Sequence, residues 1–336
     1  MPGLAPRHAG HSVPERSNAA RRAGLLALIS AVTTYVLLVL GSTVRVTESG
    51  MGCPGWPLCY GQLGPTHGFH AVMEQSHRYL AAVVTIAIAA TLVAAIRARS
   101  ELPRAVLPAM VSAVIVVIQV ILGAITVVAH NAPPTVAAHL VTGLLLAAST
   151  VVTAVATRTP AQPASGDPPR LLPGFRSAAP LVAVIALFLV MVSGSVVVDG
   201  NAARGCPAWP ACSPPHGWNR FATIQMVHRG TVLVATVAIL VALAGQFAAR
   251  PSSTSRRALA WGIGSALAAQ IVVGAATAIL KAPDALQDVH LALASAVWMG
   301  LLAMVALNWY GPPVISEGET ISPPDSGLST LAEKSS

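Results

Sequence analysis

The chain has 336 residues, of which 54% are hydrophobic and only 10% are charged, with a formal net charge of +8. Soluble domains carry roughly 25% charged residues, so this composition excludes a water-soluble enzyme and also an intrinsically disordered protein. The net charge alone would suit a nucleic-acid-binding protein, but the positions of the basic residues argue against that class.

Long apolar stretches follow one another along the chain and predict membrane spans, because about 20 apolar residues cross roughly 30 Å of hydrocarbon. The first stretch is longer than the apolar core of a signal peptide and leads directly to Arg45, so it is predicted to be a span. The sequence therefore predicts an all-α integral membrane protein. Its eight predicted spans are 23–44, 79–96, 105–129, 136–157, 178–198, 230–249, 258–280 and 289–309.

The basic residues predict how these spans are oriented. Fourteen of the 20 Lys and Arg residues fall in the two tails and in the loops on the same side, and six fall in the loops on the opposite side. Because Lys and Arg accumulate on the cytoplasmic side of a membrane, both termini are predicted to be cytoplasmic. The positive charge is thus explained by topology, and we expect no nucleic-acid partner.

The sequence also repeats itself. Cys53-Pro-Gly-Trp-Pro-Leu-Cys59 returns as Cys206-Pro-Ala-Trp-Pro-Ala-Cys212. This pattern predicts two parallel four-helix bundles, related by a pseudo-twofold axis along the membrane normal. The predicted organisation is a disordered cytoplasmic tail, an N-terminal bundle, a cytoplasmic linker, a C-terminal bundle and a second disordered cytoplasmic tail, at 1–22, 23–157, 158–177, 178–309 and 310–336.

Four histidines lie near the starts of the even-numbered spans, in two pairs separated by 151 residues: His77 with His139, and His228 with His290. A lone histidine there would more simply bond to a neighbour at the helix end, but ionisable groups within spans are costly and usually functional. Two imidazoles on facing helices can ligate a haem iron, whereas zinc needs further ligands. The remaining histidines need only solvated or interfacial roles: His8, His11, His67, His70, His130 and His216.

At the position one helical turn before the first histidine of each pair, only one half has an acidic residue. Glu74 lies one helical turn before His77, whereas the matching position in the second half is Gln225. An acid also suits the first turn of a helix, so that alternative stays open. Beside a histidine pair, however, Glu74 is the predicted catalytic residue. Glu48 is a weaker candidate, and Asp199 is expected to be only a loop residue.

The only four cysteines form two C-x5-C loops on the side opposite the termini, where disulfides persist. The favoured interpretation is a disulfide in each loop, Cys53–Cys59 and Cys206–Cys212, which shapes a lid over the histidines. A redox-active dithiol is the main alternative. A four-cysteine zinc cluster drawn from both loops is the third, although its spacing is unusual.

As an ordered set, these motifs resemble the haem A synthases of bacteria and mitochondria over about residues 23–309. The resemblance implies a bacterial plasma-membrane oxidoreductase acting on a CH group. Such enzymes convert the C8 methyl of haem O to a formyl group by two hydroxylations and loss of water, giving haem A for cytochrome oxidase. The matching segments are 41–59, 74–78, 119–126, 139–140, 228–229 and 290–291.

The resemblance also implies a role for each site residue. His228 and His290 would hold a haem b cofactor, and His77 and His139 would bind the substrate haem iron. Glu74 would stabilise the carbocation-like centre formed at the C8 methyl and take a proton from attacking water. The loop cysteines at 53 and 59 match cysteines thought to support activity or haem transfer.

The expected partners are haem O, a haem O synthase, the cytochrome oxidase assembly machinery and a quinone or other electron acceptor, with a homo-oligomer also allowed. Three other classes of protein fit parts of the pattern. A diheme electron-transfer protein needs the histidine pairs but no acid. A membrane thiol oxidoreductase would use the cysteine loops, and parallel repeats also permit a transporter.

Overall fold

The structure is a computed structural model that describes residues 16–64, 68–159, 175–212, 217–248 and 254–310, with no side chains described at 175–177. Most of the predicted tails and of the predicted linker lie outside the described residues. So do four of the ten histidines, namely His8, His11, His67 and His216.

Eight α-helices account for most of the described chain, and each is long and apolar enough to cross a membrane. The prediction of an all-α, multi-pass membrane protein is confirmed, and the described residues include no β-strand. In chain order the helices are α1 (Asn18–Val46), α2 (Phe69–Arg97), α3 (Pro103–Val128), α4 (Pro133–Ala156), α5 (Phe175–Asp199), α6 (Arg220–Ala248), α7 (Thr254–Ile279) and α8 (Asp284–Tyr310).

Local signals explain several helix ends. The Ser17 side chain caps α1 by accepting a hydrogen bond from the backbone N–H of Ala20 at 3.2 Å, as N-cap serines do. Pro103 and Pro133 begin α3 and α4, where a missing N–H costs nothing. After α3 the chain turns through Asn131, whose φ of +53° lies in the left-handed region that asparagine tolerates.

Two of the even-numbered helices begin well before the predicted spans. α2 begins at Phe69 rather than near 79, and α6 begins at Arg220 rather than near 230. The predicted spans began only after Arg78 and Arg229, because a count of apolar residues stops at a charged residue. Both arginines nevertheless lie within the helices, where they donate hydrogen bonds to loop carbonyls. His70, expected in a loop, lies in the first turn of α2, with Nδ1 2.9 Å from Ser49 Oγ.

The helices pack in two sets of four, and each set closes into a ring of neighbours. In the first set α1 and α3 each contact both α2 and α4, and in the second α5 and α7 each contact both α6 and α8. Hence α2 and α4 lie diagonally across the first ring, as α6 and α8 do across the second. The sets meet through α1, α4, α5 and α8. The pseudo-twofold axis and the functional division of the chain stay predictions.

The core crosses the boundary between the two sets. One continuous apolar cluster joins Ala27 and Leu144 of the first set to Ile239, Trp298 and Leu301 of the second. The many small residues in these helices let backbones approach closely, which is how membrane helices associate. The two sets of helices therefore hold each other in register, and the sites within them keep a fixed relationship.

Candidate functional site

Each set of four helices carries a pair of histidines on its diagonal helices. His77 lies on α2 and His139 on α4, while His228 lies on α6 and His290 on α8. All four are half-buried. Within each pair the imidazoles are close enough to interact electrostatically. The structure therefore brings the predicted pairs together, 77 with 139 and 228 with 290.

Each of these four imidazoles lies against a glycine of a neighbouring helix. A methyl group at these glycines would fall within van der Waals distance of the Cε1 atom of the histidine, or closer than that distance. Because glycine has no side chain, each imidazole ring can lie directly against the backbone of the adjacent helix. The separations from a methyl carbon to Cε1 are 3.1 Å for Gly41 and His77, 3.5 Å for Gly123 and His139, 3.3 Å for Gly194 and His228, and 2.8 Å for Gly274 and His290.

The ring nitrogens have few partners within the protein. The Nδ1 atoms of His77, His139 and His290 are buried without a hydrogen-bond partner, which is uncommon for buried polar atoms. In His228 the Nδ1 atom lies 2.8 Å from Ser193 Oγ. Such a bond orients a ligating imidazole and leaves Nε2 to coordinate a metal.

This donor set fits haem iron better than zinc. An iron held axially by two imidazoles needs one ligand from each of two facing helices, and diagonal helices of a four-helix ring provide that arrangement. Zinc would require a third or fourth protein ligand. In the part of the chain that the structure describes, no three His, Cys, Asp or Glu residues come together as a metal site.

Glu74 is buried, with only 4% of its surface exposed, and its carboxylate bonds to two groups. Oε2 accepts a hydrogen bond from the backbone N–H of Cys53 at 2.7 Å, and Oε1 forms an ion pair with Arg78. The matching Gln225 is also buried, but its amide donates to the carbonyls of Ala202 and Ala203. The two halves thus differ in charge and in the contacts at this position.

Both cysteine loops are closed by disulfides, as predicted. Cys53 is bonded to Cys59, and Cys206 is bonded to Cys212. The four-cysteine zinc cluster is therefore wrong, because each cysteine is paired within its own loop. Each loop also contains a cis peptide bond before its second proline, at Trp56–Pro57 and Trp209–Pro210.

Asp199 was expected to be only a loop residue, and that expectation is wrong. It is the last residue of α5, and its carboxylate forms an ion pair with Arg45 near the end of α1 and accepts a hydrogen bond from Ser195 Oγ at 2.9 Å. This ion pair connects the two sets of helices on the side that carries the cysteine loops. Glu48 precedes a single 3₁₀ turn with a φ of +53°.

The sequence reasoning gave no role to the four glycines, and it missed the loop-binding role of the two arginines. A signal for them exists in the repeat: Gly41 and Gly194 are 153 residues apart, and Arg78 and Arg229 are 151 apart. These are the offsets of the cysteines and the histidines. Residues that recur at these offsets could therefore have been predicted to contact the histidines or the cysteine loops.

Comparison with known proteins identifies the family. A family model described as COX15-CtaA, cytochrome oxidase assembly protein, matches residues 24–68 and 66–302. The chain belongs to this family. The match begins in α1 and ends in α8, so it includes both histidine pairs and Glu74.

Several relatives carry the name haem A synthase. The protein of Exiguobacterium sibiricum is 30% identical over 61% of this chain and 69% of its own length. That of Geobacillus thermodenitrificans is 30% identical over 66% and 71%, and that of Shouchella clausii is 26% identical over 64% and 73%. The resemblance drawn from the motifs is thereby confirmed.

Proposed function

We propose that the protein is a haem A synthase, an oxidoreductase that acts on a CH group of haem O. The observation that carries the proposal is the presence of two histidine pairs, only one of which has a buried acid on the same helix face. An electron relay needs two equivalent pairs and no acid. The family includes relatives named haem A synthase, and in such an enzyme the acid would serve the site that binds the substrate.

The reaction consists of two hydroxylations and a dehydration. In each hydroxylation, water adds its hydroxyl group to the C8 methyl carbon while that carbon loses a hydrogen, and two electrons and two protons leave. The electrons pass to an acceptor such as a quinone. The resulting geminal diol loses one water and becomes the formyl group of haem A.

In this proposal the first set of helices binds the substrate. His77 and His139 ligate the iron of haem O from α2 and α4, and Gly41 and Gly123 position their rings. Glu74, held by its ion pair with Arg78, stabilises the positive charge that develops at the methyl carbon and accepts a proton from the attacking water. Its burial supports this role because an ion pair acts more strongly away from water.

The second set of helices would hold a resident haem b through His228 and His290. When bound, haem b would supply one-electron redox chemistry. Ser193 orients His228, and the neutral Gln225 holds the adjacent loop without adding charge. These contacts suit a site that keeps its group bound rather than one that changes it.

A co-expression experiment tests the reaction. Cells that make haem O and this protein should yield extractable formyl haem, and Glu74→Gln should lower that yield by two orders of magnitude or more, as expected for loss of an acid–base group. The haem b absorption spectrum should persist. Gln225→Ala is the variant at the equivalent position of the second set, and it should lower haem A formation much less than Glu74→Gln does. Wild-type formyl haem in Glu74→Gln would contradict the role of Glu74, and two haem b without formyl haem would identify an electron relay.

We also propose a location and partners. Both termini face the cytoplasm of a bacterial cell, which the fourteen-to-six distribution of basic residues supports. Haem O synthase would supply the substrate, and the cytochrome oxidase assembly machinery would receive the product. A reporter enzyme active only in the periplasm should be inactive when fused after residue 310 and active when inserted after residue 282.

A further inference from the structure

The Arg78 side chain binds the backbone of the first cysteine loop at four points. Its Nη1 atom lies 2.7, 3.3 and 3.4 Å from the carbonyl oxygens of Gly55, Pro57 and Leu58. Its Nη2 atom lies 3.0 Å from the carbonyl oxygen of Cys53. The carbonyls of the disulfide-closed loop therefore converge on one guanidinium group.

Arg229 repeats this arrangement in the second cysteine loop. Its Nη1 atom lies 2.8, 3.1 and 3.2 Å from the carbonyl oxygens of Ala208, Pro210 and Ala211, and its Nη2 atom lies 2.8 Å from that of Cys206. The four acceptors correspond, position for position, to those of the first loop. Both arginines directly follow a site histidine, so each ties its loop to the helical turn that carries an imidazole.

The chemistry of the side chain explains why arginine stands at both positions. A guanidinium presents five N–H donors in a planar fork and stays charged in any environment. Lysine has a point charge and three donors on a flexible stem, so it cannot hold four converging carbonyls in the same way. The Arg78 side chain is only 13% exposed, and the loop carbonyls replace the water that its charge has lost.

The two arginines differ in a further contact. Only Arg78 has an acidic partner, Glu74, and that acid also accepts from the N–H of Cys53. Cys53 is thus bonded through its N–H to Glu74 and through its carbonyl to Arg78. Glu74, Arg78 and Cys53 form a closed network, whereas Gln225 donates to the carbonyls of Ala202 and Ala203.

We propose that Arg78 is a positioning residue for Glu74. It holds the carboxylate beside His77 directly, through the ion pair, and indirectly, by fastening the loop whose Cys53 N–H binds the other carboxylate oxygen. Arg229 fastens only its loop. This inference rests on the proposed function and extends it, because it assigns the placement of the catalytic acid to a residue outside the histidine pair.

Four variants of the full-length protein separate the two roles of Arg78: Arg78→Gln, Arg78→Lys, Arg229→Gln and Arg229→Lys. Each is produced with haem O synthase, and a retained haem b spectrum shows that the variant has folded. Arg78→Gln should lower the turnover of haem O about tenfold or more, because a charge-assisted contact is lost. Its binding of haem O, seen as a bis-histidine spectrum, should change little. Arg229→Gln should lower turnover by less than about threefold.

The lysine variant shows whether Arg78 acts on the acid or only on the loop. Arg78→Lys keeps a positive charge beside Glu74 but loses the four-carbonyl contact, so amide hydrogen exchange in residues 53–59 should rise as in Arg78→Gln. Turnover should nevertheless recover by several fold over Arg78→Gln. In the second loop, Arg229→Lys and Arg229→Gln should raise exchange in residues 206–212 and should not differ in turnover.

An infrared readout tests the same contact without any turnover. Removing the ion pair should shift a carboxylate band in Arg78→Gln, and that shift should be absent when Arg78→Gln is made in a Glu74→Gln background.

Three results would each overturn the proposal. They are wild-type turnover in Arg78→Gln, an Arg78→Lys variant as inactive as Arg78→Gln, and an unshifted carboxylate band. A wild-type protein that forms no haem A would overturn the proposed function instead, and the exchange and infrared measurements would still decide whether Arg78 holds Glu74 and the loop.

Discussion

Gly274 on α7 lies so close to the His290 imidazole on α8 that a methyl group at Gly274 would stand 2.8 Å from Cε1. Non-bonded carbon atoms do not approach to this distance, so either the imidazole or a helix must move if a side chain is added. At Gly123 the corresponding separation from His139 is 3.5 Å, an ordinary contact. The four imidazoles are therefore unequally sensitive to their glycines.

We accordingly expect Gly274→Ala to displace His290 and to lose most of the haem b absorption. Gly262→Ala is the matched control on the same helix, because a methyl group there meets nothing within 4 Å. It should keep the haem b spectrum, and Gly123→Ala should disturb haem O binding much less than Gly274→Ala disturbs haem b binding. The reduced-minus-oxidised spectrum of the purified protein measures haem b, and pigment extraction from protein co-produced with haem O synthase measures the bound haem O. Equal haem b content in Gly274→Ala and Gly262→Ala would contradict this reading of the contact.

The two histidine pairs should differ when an imidazole is removed. Replacing His228 or His290 by alanine should abolish haem b binding, because the proposal makes these two residues its ligands. Replacing His77 or His139 should spare haem b and abolish haem A formation, because the proposal assigns that pair to the substrate. Pigment extraction and the haem b spectrum, measured on the same membranes, distinguish these outcomes. Loss of haem b from all four variants would argue against separate cofactor and substrate sites.

The two disulfides should be reduced at different rates. Cys53 and Cys59 are both fully buried, whereas in the second loop Cys206 is buried and Cys212 is partly exposed. Thiol–disulfide exchange requires access to a sulfur atom. A reductant should therefore open Cys206–Cys212 first, which timed alkylation and mass spectrometry can follow. If Cys53–Cys59 opened first, the first loop would have to move far more readily than its burial suggests.

The ion pair between Arg45 and Asp199 should stabilise the contact between the two sets of helices. Both side chains are partly exposed, at 26% and 17%, so the contribution lies nearer to that of a surface pair than to that of a fully buried one. We expect Asp199→Asn to lower the free energy of unfolding by about 1 kcal/mol. The apparent Tm of the detergent-solubilised protein should fall by roughly 1–2 °C.

The double variant Arg45→Gln/Asp199→Asn is the control for this prediction. Asp199→Asn leaves the Arg45 charge without its partner, whereas the double variant removes both charges. The double variant should therefore be no less stable than Asp199→Asn. Strictly additive losses would mean that the two residues act independently and that the ion pair does not join the helices.

Features that depend on local composition could be predicted from sequence. The eight spans follow from the lengths of the apolar stretches, and the disulfide pairing follows from two short loops with two cysteines each. The histidine pairing follows from the internal repeat, because equivalent positions in a repeat occupy equivalent places. The contrast between Glu74 and Gln225 was visible for the same reason.

The sequence by itself therefore determined a membrane protein of eight helices with two histidine pairs, two closed loops and one distinctive acid. Only the tertiary structure decided which groups touch the site. The ion pair of Arg45 with Asp199 joins residues 154 positions apart, and no local pattern encodes such a contact. Packing also decides that Gly274 lies beside His290 and that loop carbonyls surround Arg78. A glycine or an arginine has no fixed partner in the sequence until neighbouring helices and loops pack against it.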